Sequence, residues 1–523
     1  MCSISASSYL CGPCVFCFGK MLISPERLSQ STTVTYRLSK SKFLSGLQCH
    51  KRLFLEICRP ALATKPDEIT QAILDMGTEI GELARKRFPG GVLVAADRKH
   101  AEEAIAHTKA LLADPNIPAI FEAAFMFENV FIRVDILERL STAESGESVW
   151  RLIEVKSSTR VKDVHLDDLA IQTYVINGAG VILVKSCLMH ISTQYVYPGG
   201  ELDLQQFFGI QDCTEPVQAR LADVPSKLTE MKAMLADPAP PAIEPDGHCF
   251  SPYECQFWDH CTKDKPERWV YHLPGGDKTF RLLTRLGIRT MDEIPTDFNL
   301  TIWQRRVKDN VEWVSPKLPI VLKTVRYPVH HLDFETFMPA IPRFPQTRPY
   351  QVIPTQWSNH VEYDDGRIDH DQYLCLDVKD PREELALRLL ESLGREGSIC
   401  VYSDYERSVI GRLAEALPSL RQELQRLLSR LWDLFDVIRD HYYHPAFKGS
   451  YSIKSVLPAV VPSLGYGDLE IQDGEIAARA YYRMLFEETD WVEKARIREA
   501  LLKYCERDTL AMVELRKELG KKS

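Results

Sequence analysis

The 523-residue chain has no apolar run that approaches the roughly 20 residues of a membrane-spanning helix. It also has no excess of positive charge: 64 Lys and Arg stand against 73 Asp and Glu, a net charge of −9. That balance excludes nucleic-acid binding through overall charge, while a local basic groove stays open. The N-terminal segment has neither the basic start nor the long apolar core of a secretory signal. No internal repeat or long low-complexity tract interrupts the chain. These absences point to a soluble, cytoplasmic, globular protein with no membrane partner, whose thiols are reduced, buried or metal-bound. Its length is enough for roughly two to four domains.

What is present is a set of paired acids. The run Tyr327-Pro-Val-His-His-Leu-Asp-Phe-Glu-Thr-Phe337 reads as a β-strand, and strand side chains alternate, so Asp333 and Glu335 share one face. Two like charges placed together call for a cation between them, and oxygen ligands suit Mg2+ or Mn2+. Far downstream, the helical pattern from Lys494 to Leu519 puts Tyr504 and Asp508 at i and i+4, on one face. Between them, Val401-Tyr-Ser-Asp404-Tyr-Glu406 follows a strand and opens a helix, offering Glu406 or Asp404 as a third acid. Asp433 and Asp436 are either structural or supplementary. The segment Tyr442 to Lys454 mixes aromatics with lysine, and reads equally as a base-stacking surface or a packed loop.

The first half carries a second acidic pattern. Strand-like runs span 119–128, 130–140 and 150–157, and helices are expected over 69–88, 100–113 and 166–177. Glu154 and Lys156 alternate onto one strand face, and Asp135 lies 19 residues before Glu154, a distance that a hairpin closes. Asp135 and Glu154 would hold a divalent ion that acidifies water and polarises a phosphate, while Lys156 would stabilise the developing charge. Cys49 precedes this region, and Cys249-x5-Cys255-x5-Cys261 follows it, with His248 and His260 as neighbouring alternative ligands. Cys11, Cys14 and Cys17 belong to an N-terminal extension over 1–32, read as lying outside the fold, with Met21 an alternative start. Phe280 to Pro295, with Leu282 to Ile294 at its centre, reads as a small helical hairpin or a linker.

Asp333, Glu335, Tyr504 and Asp508 resemble the first and last motifs of the DEDD exonucleases, in the tyrosine-bearing branch, on an RNase H-like fold. That resemblance favours Glu406 as the middle acid, because it follows an aromatic residue as the family's acid does. It assigns metal binding to Asp333, Glu335, Glu406 and Asp508, and water positioning to Tyr504. The Asp135, Glu154, Lys156 pattern resembles the RecB-like branch of the PD-(D/E)XK nucleases. There the resemblance implies a further metal-site residue at Glu82, and puts Asp168 and Gln172 in the slots of a Gln-x3-Tyr motif. It also implies that Cys49, Cys249, Cys255 and Cys261 hold a 4Fe-4S cluster, with Zn2+ as the alternative that four thiolates equally suit.

The whole order, from about Leu38 onwards, resembles an uncharacterised bacterial family that joins the two nuclease types. The runs Gly449 to Pro458 and Tyr504 to Met512 are its most specific parts. The expectation is an α/β chain with a RecB-like domain over 33–265, a helical linker over 266–324 and a DEDD-type domain over 325–523. Its function would be metal-dependent phosphodiester hydrolysis, with DNA ahead of RNA as substrate. The alternative is a nucleic-acid-binding or regulatory protein in which one or both centres are inactive.

Overall fold

The computed structural model describes residues 36–96, 98–142 and 148–522, so the N-terminal cysteines lie outside the described residues. The chain is α/β, as its pattern predicts, and Arg37 onwards forms a single unit built on two main sheets. No helix among the described residues is long and apolar enough to cross a membrane.

The first sheet contains Leu38–Ser39 (β1), Val92–Leu93 (β2), Ala119–Phe127 (β3), Val130–Thr142 (β4), Ser148–Val155 (β5), Leu183–Ile191 (β6) and Phe208–Asp212 (β7). Its order is β2-β3-β4-β5-β6-β7, with β1 pairing to the start of β4. The β3-β4-β5 meander is antiparallel, and β6 then runs parallel to β5. A parallel neighbour needs a crossover, and the Asp163–Gly178 helix provides it. Leu169, Ala170, Ile171, Val175 and Ile176 of that helix are buried, because the sheet covers one side and the Lys40–Gln48 and Val224–Leu235 helices pack against it as well.

Beyond it come Trp313–Val314 (β8), Val329–Phe337 (β9), Ile353–Glu362 (β10), Ile368–Leu374 (β11), Ser398–Val401 (β12), Leu431–Asp433 (β13) and Tyr442–Tyr443 (β14). β8 and β14 pair as a separate ribbon. The second sheet has the order β11-β10-β9-β12-β13, with β9-β10-β11 antiparallel and β12 and β13 parallel to β9. Alternation along β9 divides two cores. Leu332 and Phe334 pack under the Arg382–Leu393 and Tyr405–Ala416 helices. Phe337 packs on the other side with Tyr481, Leu501 and Met512. The 31-residue Trp491–Lys521 helix crosses that second face, anchored where the Gln356 amide donates to the Leu501 carbonyl at 2.9 Å.

The segment between β9 and β10 straps the two sheets together. Ala340 and Ile341 enter the core of the first sheet. The Tyr197 N–H donates to Thr347 O at 2.9 Å, and the Gln346 N–H donates to Tyr197 O at 2.7 Å. The Tyr350 hydroxyl donates to the carbonyl of Ser157, next to Lys156. The Leu282 to Ile294 stretch differs from a hairpin. One helix, Asp277–Arg285, ends at Gly287 with φ of 78°, and only a 3-10 turn, Met291–Glu293, follows. The left-handed glycine turns the chain and Pro295 stops a second helix from extending.

Gly397 sets the entry into β12. Its φ is 85°, and a Cβ there would sit 1.9 Å from the Pro328 carbonyl oxygen at the start of β9. Gly397→Ala should therefore destabilise the protein by more than about 1 kcal/mol, read as a lower urea midpoint. Gly411→Ala, with open space at its Cβ, is the control and should not lower it.

Candidate active sites

The second sheet and the helices on it bring five carboxylates, Asp333, Glu335, Glu406, Asp508 and, from the first turn of the Gly474–Phe486 helix, Glu475, to one cavity of about 390 Å³. Asp333 and Glu335 come from β9. Glu406 comes from the first turn of the Tyr405–Ala416 helix, directly after β12. Asp508 and Tyr504 come from the buried face of the long C-terminal helix. The β9-β12 register places the end of β12 beside β9, which is why Glu406 reaches the acids of a strand some 70 residues earlier. Glu406 and Asp508 are buried, and Asp333 and Glu335 half-buried.

Burial, with repulsion from Asp508 and the other acids, pushes Asp333 and Glu335 far above the usual carboxylate range. Burial also raises Glu406 to about 8, helped by Asp433 and Asp508. Asp508 rises less, to about 6, because Tyr466 and Tyr504 hydrogen-bond to its carboxylate and Lys454 lies near. Desolvation and the surrounding acids keep the Tyr504 phenol protonated.

Lys454 is the cation that lines this cavity. Its Nζ lies 2.8 Å from Asp473 and 5.8 Å from the centre of the Tyr504 ring. The Cys505 thiol is 3.7 Å from Asp333 Oδ2. Asp404 is highly exposed, pairs with Arg407 at 3.3 Å and does not line the cavity. Asp433 caps the Leu434–His441 helix by accepting from the Phe435 N–H at 2.8 Å, and Asp436 pairs with Arg439 at 2.8 Å. Tyr442, Tyr443 and Phe447 are fully buried, so that aromatic run is packed core rather than a stacking surface.

The first sheet gathers Asp135, Glu154, Lys156, Asp168 and Gln172 into a second cluster. Asp135 accepts the Val155 N–H at 2.8 Å across the β4-β5 pair. Lys156 Nζ donates to Glu154 Oε1 at 2.7 Å and to Asp168 Oδ2 at 2.8 Å. The Gln172 amide donates to Glu154 Oε2 at 2.8 Å and to Asp168 Oδ1 at 2.9 Å. Asp168 and Gln172 are buried on the crossover helix, where they orient Lys156 and Glu154. Glu82 lies exposed on the Glu68–Arg85 helix, with no hydrogen bond or ion pair to this cluster.

Sequence reasoning missed Lys40. It sits at the start of a helix capped by Ser39, and its Nζ lies 2.7 Å from Glu154 Oε1 and 4.0 Å from Asp135 Oδ1. Burial alone would raise Glu154, but Lys156 and Lys40 hold it well below the usual range. Asp135, by contrast, rises to about 7 through burial and the charge of Glu154.

Cys49, Cys249, Cys255 and Cys261 line one small cavity with His248, while His260 is outside it. All four are free thiols. Cys49 separates two helices, and Cys255 N–H donates to Cys249 O at 2.8 Å. The Gln48 amide donates to His248 O at 2.7 Å and to Tyr253 O at 2.6 Å, tying the start of the first region to its end. Burial raises the Cys249 thiol to about 11.

Residues 330–452 match a domain of unknown function, DUF2779. That span holds Asp333, Glu335 and Glu406, and stops short of Tyr504 and Asp508. The chain is similar to the uncharacterized protein UU173 of Ureaplasma parvum serovar 3, 28% identical over 213 residues, covering 35% of this chain and 30% of that protein. It is also similar to an uncharacterized MG366 homolog of Mycoplasma pneumoniae, 25% identical over 226 residues, covering 39% of this chain and 33% of the other. The chain thus spans about a third of the length of the curated relatives it matches. Neither relative's name assigns a chemistry.

The raised acids make a stability prediction. Above the ordinary carboxylate values near 4, the folded metal-free protein keeps protons that the unfolded chain has lost, on Glu406 up to about 8 and on Asp333 and Glu335, which are also raised. Stability of the metal-free protein should therefore fall as pH rises through that window. Denaturation midpoints across it measure this, and added Mg2+ should flatten the fall by binding the ionised form.

Proposed function

We propose that the protein is a metal-dependent nuclease whose principal centre is the cavity of Asp333, Glu335, Glu406 and Asp508, acting on DNA ahead of RNA. The observation that carries this reading is the charge balance. Asp333, Glu335, Glu406 and Asp508 converge from three separate elements, Glu475 lines the same cavity, and the cavity's lysine, Lys454, is paired with Asp473. A divalent cation is the economical way to ionise such a group together, and an all-oxygen donor set fits Mg2+ or Mn2+. Support for an RNase H-like fold comes from the strand order: an antiparallel β9-β10-β11 meander followed by parallel β12 and β13. The β3-β4-β5 meander, crossover helix and parallel β6 likewise support a PD-(D/E)XK-type core.

Bound metal would supply an activated water and neutralise charge developing on the phosphate. The four carboxylates would hold the ions. Tyr504, kept protonated with its hydroxyl donating to Asp508, would orient the attacking water by accepting a hydrogen bond from it and would not act as a base. The Tyr466 hydroxyl fixes the Asp508 carboxylate, and Lys454 stands where it can meet a substrate phosphate.

A second reading applies to the first cluster, and one observation favours it. Lys40 and Lys156 already neutralise Glu154, and Lys40 stands close to both Asp135 and Glu154. As a nuclease centre it would need Lys40 to swing aside before Asp135 and Glu154 could hold an ion. With Lys40 in place it is a nucleic-acid-binding or architectural ionic network.

The cysteine frame fits a metal group by its donor chemistry. Tetrahedral zinc at about 2.3 Å from each sulfur would bring thiolates to about 3.8 Å from one another. Four thiolates suit a 4Fe-4S cluster, with zinc as the alternative. Its role would be to close the first region across about 200 residues, because hydrolysis moves no electrons.

Asp333→Ala and Asp508→Ala should each lower Mg2+- or Mn2+-dependent cleavage of labelled single- or double-stranded substrate by about a hundredfold or more. Glu154→Ala separates the two centres: loss of a distinct cleavage activity makes the first cluster catalytic, and unchanged cleavage makes it architectural. Absence of divalent-ion-dependent cleavage on every DNA and RNA substrate would sink the nuclease reading. Protein purified anaerobically should be brown, and Cys255→Ser should remove the colour and lower thermal stability. A colourless wild-type protein with bound zinc would move the frame to a zinc site.

A further inference from the structure

A further group of metal-ligand side chains does not line the acidic cavity. His360 on β10 and His370 on β11 are directly opposed in the antiparallel register. Their rings stack with centroids 4.3 Å apart and an interplanar angle of 26°. Glu506, on the long C-terminal helix, brings its carboxylate to 3.8 Å from His370 Nδ1. One ligand atom from each of the three lies within 4.8 Å of the other two. We propose that His360, His370 and Glu506 form a transition-metal site that takes zinc, clamping the C-terminal helix to the β10-β11 edge.

The hydroxyls behind the rings carry the argument further. His360 Nδ1 lies 2.8 Å from Thr509 Oγ1, and His370 Nε2 lies 2.9 Å from Ser358 Oγ. Ser358 Oγ and Thr509 Oγ1 are themselves 2.8 Å apart, and Thr509 Oγ1 donates to the Glu506 carbonyl at 3.0 Å. Each hydroxyl has a single proton, and the following arrangement is the one that a metal on the two histidines requires. Thr509 donates to the Glu506 carbonyl, Ser358 donates to Thr509, and each imidazole donates one N–H, His360 Nδ1 to Thr509 and His370 Nε2 to Ser358. That leaves lone pairs on His360 Nε2 and His370 Nδ1. Metal-binding histidines are held in this way, by a partner on the nitrogen away from the metal.

Two imidazoles and one carboxylate select zinc or a similar transition ion over magnesium. His360 is buried, while His370 and Glu506 are partly open, which leaves room for a water ligand. Glu506 lies between Tyr504 and Asp508 in sequence, so an ion here would fix the rotation of the helix that delivers both. The proposal does not depend on the nuclease reading, because it concerns binding alone.

The test uses the full chain, stripped with chelator and titrated with zinc. Wild-type protein should hold one more zinc per chain than His370→Gln, whatever the cysteine frame carries. Thr509→Val, which keeps the shape but removes the hydroxyl, should weaken that zinc by about 10–100-fold. Zinc should raise the melting temperature of wild type more than that of His370→Gln. Glu506→Gln, a partly exposed change, is the second variant should His370→Gln fail to fold, and should lose the same equivalent. Equal zinc number and affinity in wild type and whichever of these variants folds would overturn the proposal.

Discussion

Asp333, Glu335, Glu406 and Asp508 share one cavity with Glu475, and much of the second half of the chain is arranged around that repulsion. At an effective dielectric near 20, two unit charges about 4 Å apart repel by about 4 kcal/mol. Desolvation adds to that cost. The response in the metal-free state is to keep protons on the acids, which is why Asp333, Glu335 and Glu406 sit so far above their ordinary range. The first cluster answers the same problem differently. Its three acids, Asp135, Glu154 and Asp168, are met by Lys40 and Lys156 from within the chain. Two acidic centres of similar appearance therefore differ in whether the protein itself supplies the cation.

The two regions are not independent beads. The segment following β9, the strand that presents Asp333 and Glu335, sends Ala340 and Ile341 into the core of the first sheet. It then places Tyr350 on the carbonyl beside Lys156. A displacement of one acidic strand is thus linked through one short strap to the end of the other. The Gln48 contacts hold together segments about 200 residues apart, where Cys49 shares a cavity with Cys249, Cys255 and Cys261.

Local pattern made much of this legible. Period-two alternation correctly put Asp333 and Glu335 on one face, with Leu332 and Phe334 on the other. The i, i+4 spacing put Tyr504 and Asp508 together, and the hairpin distance brought Asp135 to Glu154. What stayed hidden was set by contacts between distant parts of the chain. Lys40 meets Glu154 across 114 residues, and nothing in Ser39-Lys-Ser-Lys distinguishes it from a surface lysine. Tyr466 reaches Asp508 from an irregular segment with no periodicity to read. The pairing of His360 with His370 depends on the β10-β11 register, which the turn between those strands sets. For Tyr442 and Tyr443 the pattern left a stacking surface and a packed loop equally open, and the pairing with β8 and their burial decide for the packed one.

The central claim is that the carboxylate cavity exists to hold divalent metal. Anomalous diffraction from crystals grown with Mn2+ tests it most directly. The account predicts two manganese peaks about 3.5–4 Å apart, bounded by Asp333, Glu335, Glu406 and Asp508. A cavity without manganese at saturating concentration, its carboxyls hydrogen-bonded to one another in protonated form, would contradict it.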